Sequence, residues 1–142
     1  TWAPGDSKQP QAAYNARYEQ LARELGASIA PVGAAFDAMK KQKVQTIDGG
    51  GVHANLAGSY LSACVFVATL YGRSPIGAVH TFDVKYDIKE AYRHELETKR
   101  LSQSEARALQ DAAWVAVRNA PRSNTASAAD GHTSTLMPTS LR

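Results

Sequence analysis

The sequence contains a single cysteine, Cys64, and so it lacks the material for an intrachain disulfide. This cysteine lies in the apolar run "YLSACVFVATLY", where a buried structural thiol is the usual interpretation. One cysteine neither requires nor excludes an oxidising compartment, and the localisation therefore stays open. A thiolate metal cluster is not expected, because such clusters take several cysteines.

Long apolar runs and dense charge are also missing. No stretch approaches the roughly 18 uncharged apolar residues that suggest a membrane-spanning helix, so no membrane span is predicted. Lys and Arg number 16 against 13 Asp and Glu, a formal net charge of +3. These basic residues are dispersed, whereas a nucleic-acid-binding protein usually gathers them on one face, so nucleic acid is not an expected partner.

The remaining composition is that of one globular domain. The chain has 142 residues, of which 44% are hydrophobic and 20% charged, enough for a sizeable core. It begins with Thr1 rather than Met, from which we expect a mature fragment or a truncated chain.

Apolar periodicity predicts four helices, at residues 10–25, 33–41, 55–71 and 101–118, and a short strand or extended segment at 27–32. The helix at 55–71 is apolar on almost every side and is expected to be central. Its predicted N-cap is Asn55, and Gly58 inside it suggests close packing against a sheet. Ser102 and Glu105 fit a capping box at the start of the last helix.

Two segments are harder to interpret. Residues 79–100 are ambiguous, and "KEAYRHELETK" within them is interpreted as a solvated helix or a loosely packed arm. From Pro121 onward the sequence is rich in Ser, Thr and Ala without periodicity, which predicts disorder.

The strongest chemical candidates are Asp48 and His53, in the stretch "QTIDGGGVHANLAGSYLSACVF" at residues 45–66. In acyl transfer a histidine takes the proton of a serine nucleophile, while a carboxylate orients the imidazole and stabilises its charged form. The loop leads directly into the predicted central helix, which would hold such a pair in place. From composition alone, however, a glycine turn with an incidental histidine is the favoured interpretation.

Other chemical candidates are weaker. Ser7 completes "GDS", but no apolar strand leads into it, as a nucleophile serine requires. His80 resembles a core or edge residue, His94 lies on a charged face, and His132 lies near the end of the chain. No histidine pair has the i, i+4 spacing of a helical metal site, so no structural zinc is predicted.

Residues 48–77, "DGGGVHANLAGSYLSACVFVATLYGRSPIG", resemble the last conserved block of SGNH/GDSL-type hydrolases. That block carries an Asp and a His in a D-x-x-H loop, followed by "G-x-YLAACVF" and a helix that ends near "G-x-SP". The segments "TWA", "YNARYEQLARELGASIAPVGAAF" and "LSQSEARALQDAAWVAVR" are similar to other parts of the same family. The resemblance covers about residues 1–118, with 119–142 as a disordered tail.

The resemblance implies an α/β fold, namely the helix-rich C-terminal part of a three-layer α/β/α sandwich with a parallel sheet. It implies a serine esterase in which His53 is the base and Asp48 the acid. The family resemblance implies no metal and no organic cofactor. The family's serine and oxyanion-hole residues belong to an N-terminal half that this sequence lacks, so we expect that half in cis or in trans. This chain alone would then be inactive. The resemblance implies an ester substrate. The family often acts on acylated carbohydrates, so an ester of that class is one candidate, although the sequence itself does not identify the substrate.

One departure from the family pattern leaves a second function open. The family places its acid three residues before the histidine, where this sequence has Gly50, and Asp48 lies five residues before His53. Either two glycines are inserted and Asp48 keeps the role, or the acid is lost. In the second case the chain would be a non-catalytic binding or structural module that retains half of the fold.

Overall fold

The computed structural model describes residues 2–4, 7–49, 51–85 and 96–121. Within these residues the chain is helix-rich, with one pair of short strands. The elements in chain order are α1 (Gln11–Leu25), α2 (Val32–Lys41), α3 (Leu56–Tyr71), β1 (Thr81–Lys85), β2 (Leu96–Arg100) and α4 (Gln103–Asn119).

The four helices lie within one or two residues of their predicted positions. α1 ends at Gly26, which adopts the left-handed conformation, with φ 61°, that favours glycine at a helix C-terminus. Residues 27–31 form irregular structure rather than a strand. α4 begins at the predicted capping box between Ser102 and Glu105. It extends through Asn119, one residue past the predicted domain boundary, and residues 122–142 of the predicted tail lie outside the described residues.

The core lies where α2, α3 and α4 pack together. Met39, Leu61, Val65 and Leu109 are the largest side chains that are completely buried there. α1 is different, because none of its residues is buried, and Leu25 at its end is 69% exposed. The predicted apolar stripe of α1 is therefore only partly covered.

α3 is buried on one side and uncovered on the other. It contains no charged residue, and its outer side exposes a row of large apolar side chains, Phe66, Val67, Leu70 and Tyr71. The expectation of a central helix is thus met on its inner side, where Tyr60, Leu61, Cys64, Val65 and Ala68 are buried.

Gly58 sits where α3 passes closest to another part of the backbone. A Cβ at this position would overlap the carbonyl oxygen of Thr46 and also crowd the ring of Phe36. Close packing was predicted, but the neighbour is the loop before the helix rather than a sheet. Glycine is required here by space, not by its backbone angles.

The helix alternative for residues 89–99 was wrong where it can be compared. Residues 96–99 belong to β2, which pairs antiparallel with β1 in a register that places Thr81 opposite Arg100. The charged residues of this segment suggested a helix, but residues 96–99 are extended because they pair with β1. Residues 86–95, which include the rest of the predicted arm and His94, lie outside the described residues.

None of the helices that the structure describes is both long and apolar enough to cross a membrane.

Candidate active site

The glycine-rich loop is closed at its base by Asn55. The Asn55 side chain accepts a hydrogen bond from the N–H of Gly58, at 3.0 Å, and so caps α3. It also donates to the carbonyl of Gln45, at 2.9 Å, while the Asn55 N–H donates to the carbonyl of Thr46, at 3.1 Å. One residue therefore ties the two ends of the loop to each other and to the helix.

Above this base, the loop folds as a short hairpin. Ile47 and Ala54 form an isolated antiparallel bridge. The N–H of Asp48 donates to the carbonyl of His53, at 2.8 Å, and the N–H of Gly51 donates to the carbonyl of Asp48, at 2.9 Å. Gly51 has a φ of 73°, which lets the chain reverse at low cost. The two predicted site residues are thus brought directly opposite each other.

The side chains of the predicted pair do not meet in the way that the triad hypothesis requires. Asp48 accepts a hydrogen bond through its carboxylate oxygen from the backbone N–H of His53, at 3.3 Å. The imidazole of His53 is exposed and makes no hydrogen bond within the described part of the chain. Asp48 therefore holds the histidine's backbone, and the ring remains open to an incoming group.

A residue that the sequence did not single out also reaches this loop. The indole N–H of Trp2 donates to the carbonyl of Val52, the residue before His53, at 3.2 Å. Its ring stacks on the buried Phe36, with centroids 4.7 Å apart and planes inclined by 6°. An aromatic residue in an N-terminal loop carries no periodic signal, so the pattern of the sequence gave no means of finding this contact.

Ser7 is not placed for attack by the loop histidine. Its hydroxyl accepts a hydrogen bond from the N–H of Gln9, at 3.1 Å, and lies 3.0 Å from the hydroxyl of Tyr14. These are the bonds of a local turn. No hydrogen bond joins Ser7 to His53 among the residues described.

A second polar cluster, away from the loop, joins α3 to α4. Gln110 is only 3% exposed, and its amide donates to the hydroxyl of Tyr60, at 2.7 Å, and to the carbonyl of Ala78, at 3.1 Å. Its oxygen accepts from the N–H of Gly77, at 2.9 Å. Because each polar atom of this amide has a partner, the cluster is a structural tie between helices.

His80 lies beside that cluster and has a structural role. Its Nδ1 lies 2.9 Å from the carbonyl of Leu101, which links the segment before β1 to the start of α4. The prediction of a core or edge residue fits this position. His132 lies outside the described residues.

The buried groups near this cluster ionise less readily than usual. Burial raises the pKa of the Tyr60 hydroxyl, against a smaller lowering by the hydrogen bond from Gln110. Burial also raises the pKa of the Cys64 thiol. A thiol that stays protonated is a poor nucleophile.

No group of three His, Cys, Asp or Glu side chains able to hold a metal ion occurs in the described ranges.

No protein-family model matches this sequence, and the searches among curated proteins and solved structures found no significant match.

Proposed function

We propose that the chain supplies the base and the acid of a serine ester hydrolase of the SGNH type. In this proposal His53 is the base, Asp48 is the acid, and the serine comes from a part of the enzyme outside this chain. The observation that carries it is an exposed imidazole that has no hydrogen-bond partner among the described residues, on a loop that hydrogen bonds fix to a core helix.

The chemistry follows from that arrangement. The neutral imidazole of His53 removes the serine proton as the serine oxygen attacks the ester carbonyl, and it then gives this proton to the departing alcohol. An acyl-enzyme remains. His53 next takes a proton from water, the resulting hydroxide attacks the acyl group, and the proton returns to the serine oxygen as the acid product leaves.

Asp48 would act as the acid beside the His53 imidazole after a small rearrangement of its side chain. In the described conformation its carboxylate accepts from the His53 backbone at 3.3 Å, a long distance for a charge-assisted hydrogen bond. Its second oxygen is not used in this bond. Once the carboxylate lies beside the ring after that rearrangement, it would stabilise the imidazolium that forms in each step.

The exposed apolar side of α3 supports the proposal that a further part of the enzyme packs against this chain. A helix that is apolar on every side belongs in a protein interior. Here Leu70 and Tyr71 are 73% and 72% exposed. The proposed N-terminal half, with the parallel sheet of a three-layer sandwich, would cover this surface and bring the nucleophile to His53. The substrate would be an acylated carbohydrate.

A non-catalytic module is the second candidate function. The observation that favours it is the bond from the His53 backbone to Asp48, because the carboxylate serves the backbone and leaves the ring without an orienting acid. Such a module would keep the loop for its structure alone.

The test is hydrolysis of p-nitrophenyl acetate, and of an acetylated oligosaccharide, by the 142-residue chain and by the complete protein that also carries the nucleophile. We expect no turnover by the chain alone and turnover by the complete protein. His53→Ala should then lower the rate constant by several orders of magnitude, while the control His132→Ala retains it. A complete protein that hydrolyses neither ester would favour the non-catalytic module.

A further inference from the structure

The peptide unit between Val52 and His53 is held at both of its polar ends. Its carbonyl oxygen accepts from the indole N–H of Trp2, at 3.2 Å. Its N–H donates to the carboxylate of Asp48, at 3.3 Å. A peptide unit is planar, and its C=O and N–H point in opposite directions when it is trans, as all described peptide bonds are. Two side chains on opposite sides therefore fix the rotation of this plane.

The orientation of this peptide plane sets the direction in which the His53 side chain leaves the backbone. The Cα of His53 is one of the six atoms in the plane, and a rotation of the unit changes the φ of His53 and with it the direction of the Cα–Cβ bond. The two hydrogen bonds to the peptide thus act on the imidazole without touching it.

Trp2 is itself anchored in the core. Its ring stacks on Phe36, which is 3% exposed and lies on α2. Phe36 also packs close to Gly58, at the start of the helix that follows the loop. The Trp2 indole therefore links the buried Phe36 ring to the backbone carbonyl of Val52. The Val52 side chain itself is 51% exposed.

Among the described residues, Trp2 alone supports this part of the loop from outside it by a side-chain hydrogen bond. Apart from Trp2, no side chain from outside the loop makes a hydrogen bond to residues 49, 51 or 52 in the described ranges. The bonds of Asn55 act at the base of the loop, several residues away.

We propose that Trp2 is a positioning residue for His53, and that it shares this task with the carboxylate of Asp48. The inference rests on the proposed function for its catalytic consequence, because a positioned imidazole matters only if the imidazole reacts. Its structural content, the clamping of the Val52–His53 peptide, can be tested in the chain alone.

The variant that isolates the hydrogen bond is Trp2→Phe. Phenylalanine keeps an aromatic ring to stack on Phe36 and removes the N–H donor. Trp114→Phe is the matched control, since Trp114 lies on α4 and makes no hydrogen bond to the loop in the described part of the chain. Trp2→Ala, which also removes the stacking, serves only as a comparison because its folding is less secure.

The measurement on the 142-residue chain is amide hydrogen exchange, read at His53 and at Leu61 in α3. Loss of one hydrogen bond should speed exchange at His53 in Trp2→Phe by about three- to tenfold. Exchange at Leu61 should stay unchanged, as should both amides in Trp114→Phe. Unchanged exchange at His53 in Trp2→Phe would overturn the proposal, and equal acceleration at both amides would reduce Trp2 to a general stabilising residue.

The catalytic consequence is read in the complete enzyme. Trp2→Phe should lower kcat by about tenfold or more with KM within twofold, because a misplaced imidazole weakens the chemical step and leaves substrate binding intact. Unchanged kcat would contradict positioning even with the exchange result in place. If His53→Ala left activity intact, the proposed function would fail, and the clamp measured by exchange would stand.

Discussion

Asp48 and His53 face each other across the glycine loop through two hydrogen bonds that both involve the backbone. The N–H of Asp48 donates to the carbonyl of His53, at 2.8 Å, and the N–H of His53 donates to the carboxylate of Asp48, at 3.3 Å. The acid thus sits beside the histidine in spite of the two extra positions between them. Gly51, with a φ of 73° at the turn, helps to accommodate this spacing.

Asp48→Asn separates the two roles assigned to Asp48. Asparagine keeps an oxygen that accepts from the His53 N–H, so amide exchange at His53 should stay close to that of the wild type. It has no charge to stabilise the imidazolium, so the esterase rate constant of the complete enzyme should fall by about a hundredfold or more. An active Asp48→Asn enzyme would show that Asp48 serves the backbone alone. Asp48→Ala should impair both readouts.

Gly58→Ala should destabilise the fold through a clash with backbone rather than through helix propensity. Alanine is intrinsically the better helix former, yet its Cβ would overlap the Thr46 carbonyl, which cannot move without opening the base of the loop. We expect the free energy of unfolding to fall by about 1–3 kcal/mol in urea denaturation. Ser59→Ala, at the exposed next position, is the control and should be neutral. A stabilised Gly58→Ala protein would refute this packing.

Asn55 has two functions that substitution can separate. Asn55→Ala removes both the cap on Gly58 and the bond to the Gln45 carbonyl, and it should cost about 1 kcal/mol or more of stability. Asn55→Asp retains an acceptor for the cap but loses the donor to Gln45. It should therefore recover part of the thermal stability while amide exchange at the loop base remains fast. Equal stability of the two variants would mean that the cap contributes nothing.

Alkaline pH should weaken the fold through Tyr60 and Cys64. Both have a pKa that burial raises above the usual values of 10.0 and 9.0. The folded protein therefore keeps these protons at a pH where the unfolded chain releases them. The contribution of these two groups to the free energy of unfolding should stay level up to about pH 9 and decline as the pH rises beyond it. Tyr60→Phe should flatten the part of the decline above pH 10, as measured by urea denaturation across the range. An unchanged pH dependence would contradict this role of Tyr60.

The helices could be predicted from the sequence because the residues that begin and end them are close together in the chain. The Gly26 terminus, the Asn55 cap and the capping box of Ser102 with Glu105 each depend on neighbours within a few residues. Strand β2 was not predicted, since its pairing with β1 depends on residues that lie about 15 positions away.

The same limit applies to the geometry of the candidate site. The sequence predicted a glycine-rich loop that leads into α3 and places Asp48 near His53, and the loop does bring these two residues opposite each other. Their catalytic roles come from the family resemblance and stay a prediction. The sequence did not identify Trp2, whose contact with Val52 spans 50 positions. Nor did it predict that the Asp48 carboxylate binds backbone, because side-chain direction in a glycine loop is set by backbone angles that composition leaves free.

The most direct test of the account is the rate constant of acyl transfer in the complete protein, measured by stopped-flow with p-nitrophenyl acetate for the wild type and for His53→Ala. With His53 as the base, the variant should fold normally, as judged by circular dichroism, and lose several orders of magnitude in rate. A folded His53→Ala protein that hydrolyses the ester at nearly the wild-type rate would contradict the assignment of this loop as half of a catalytic site.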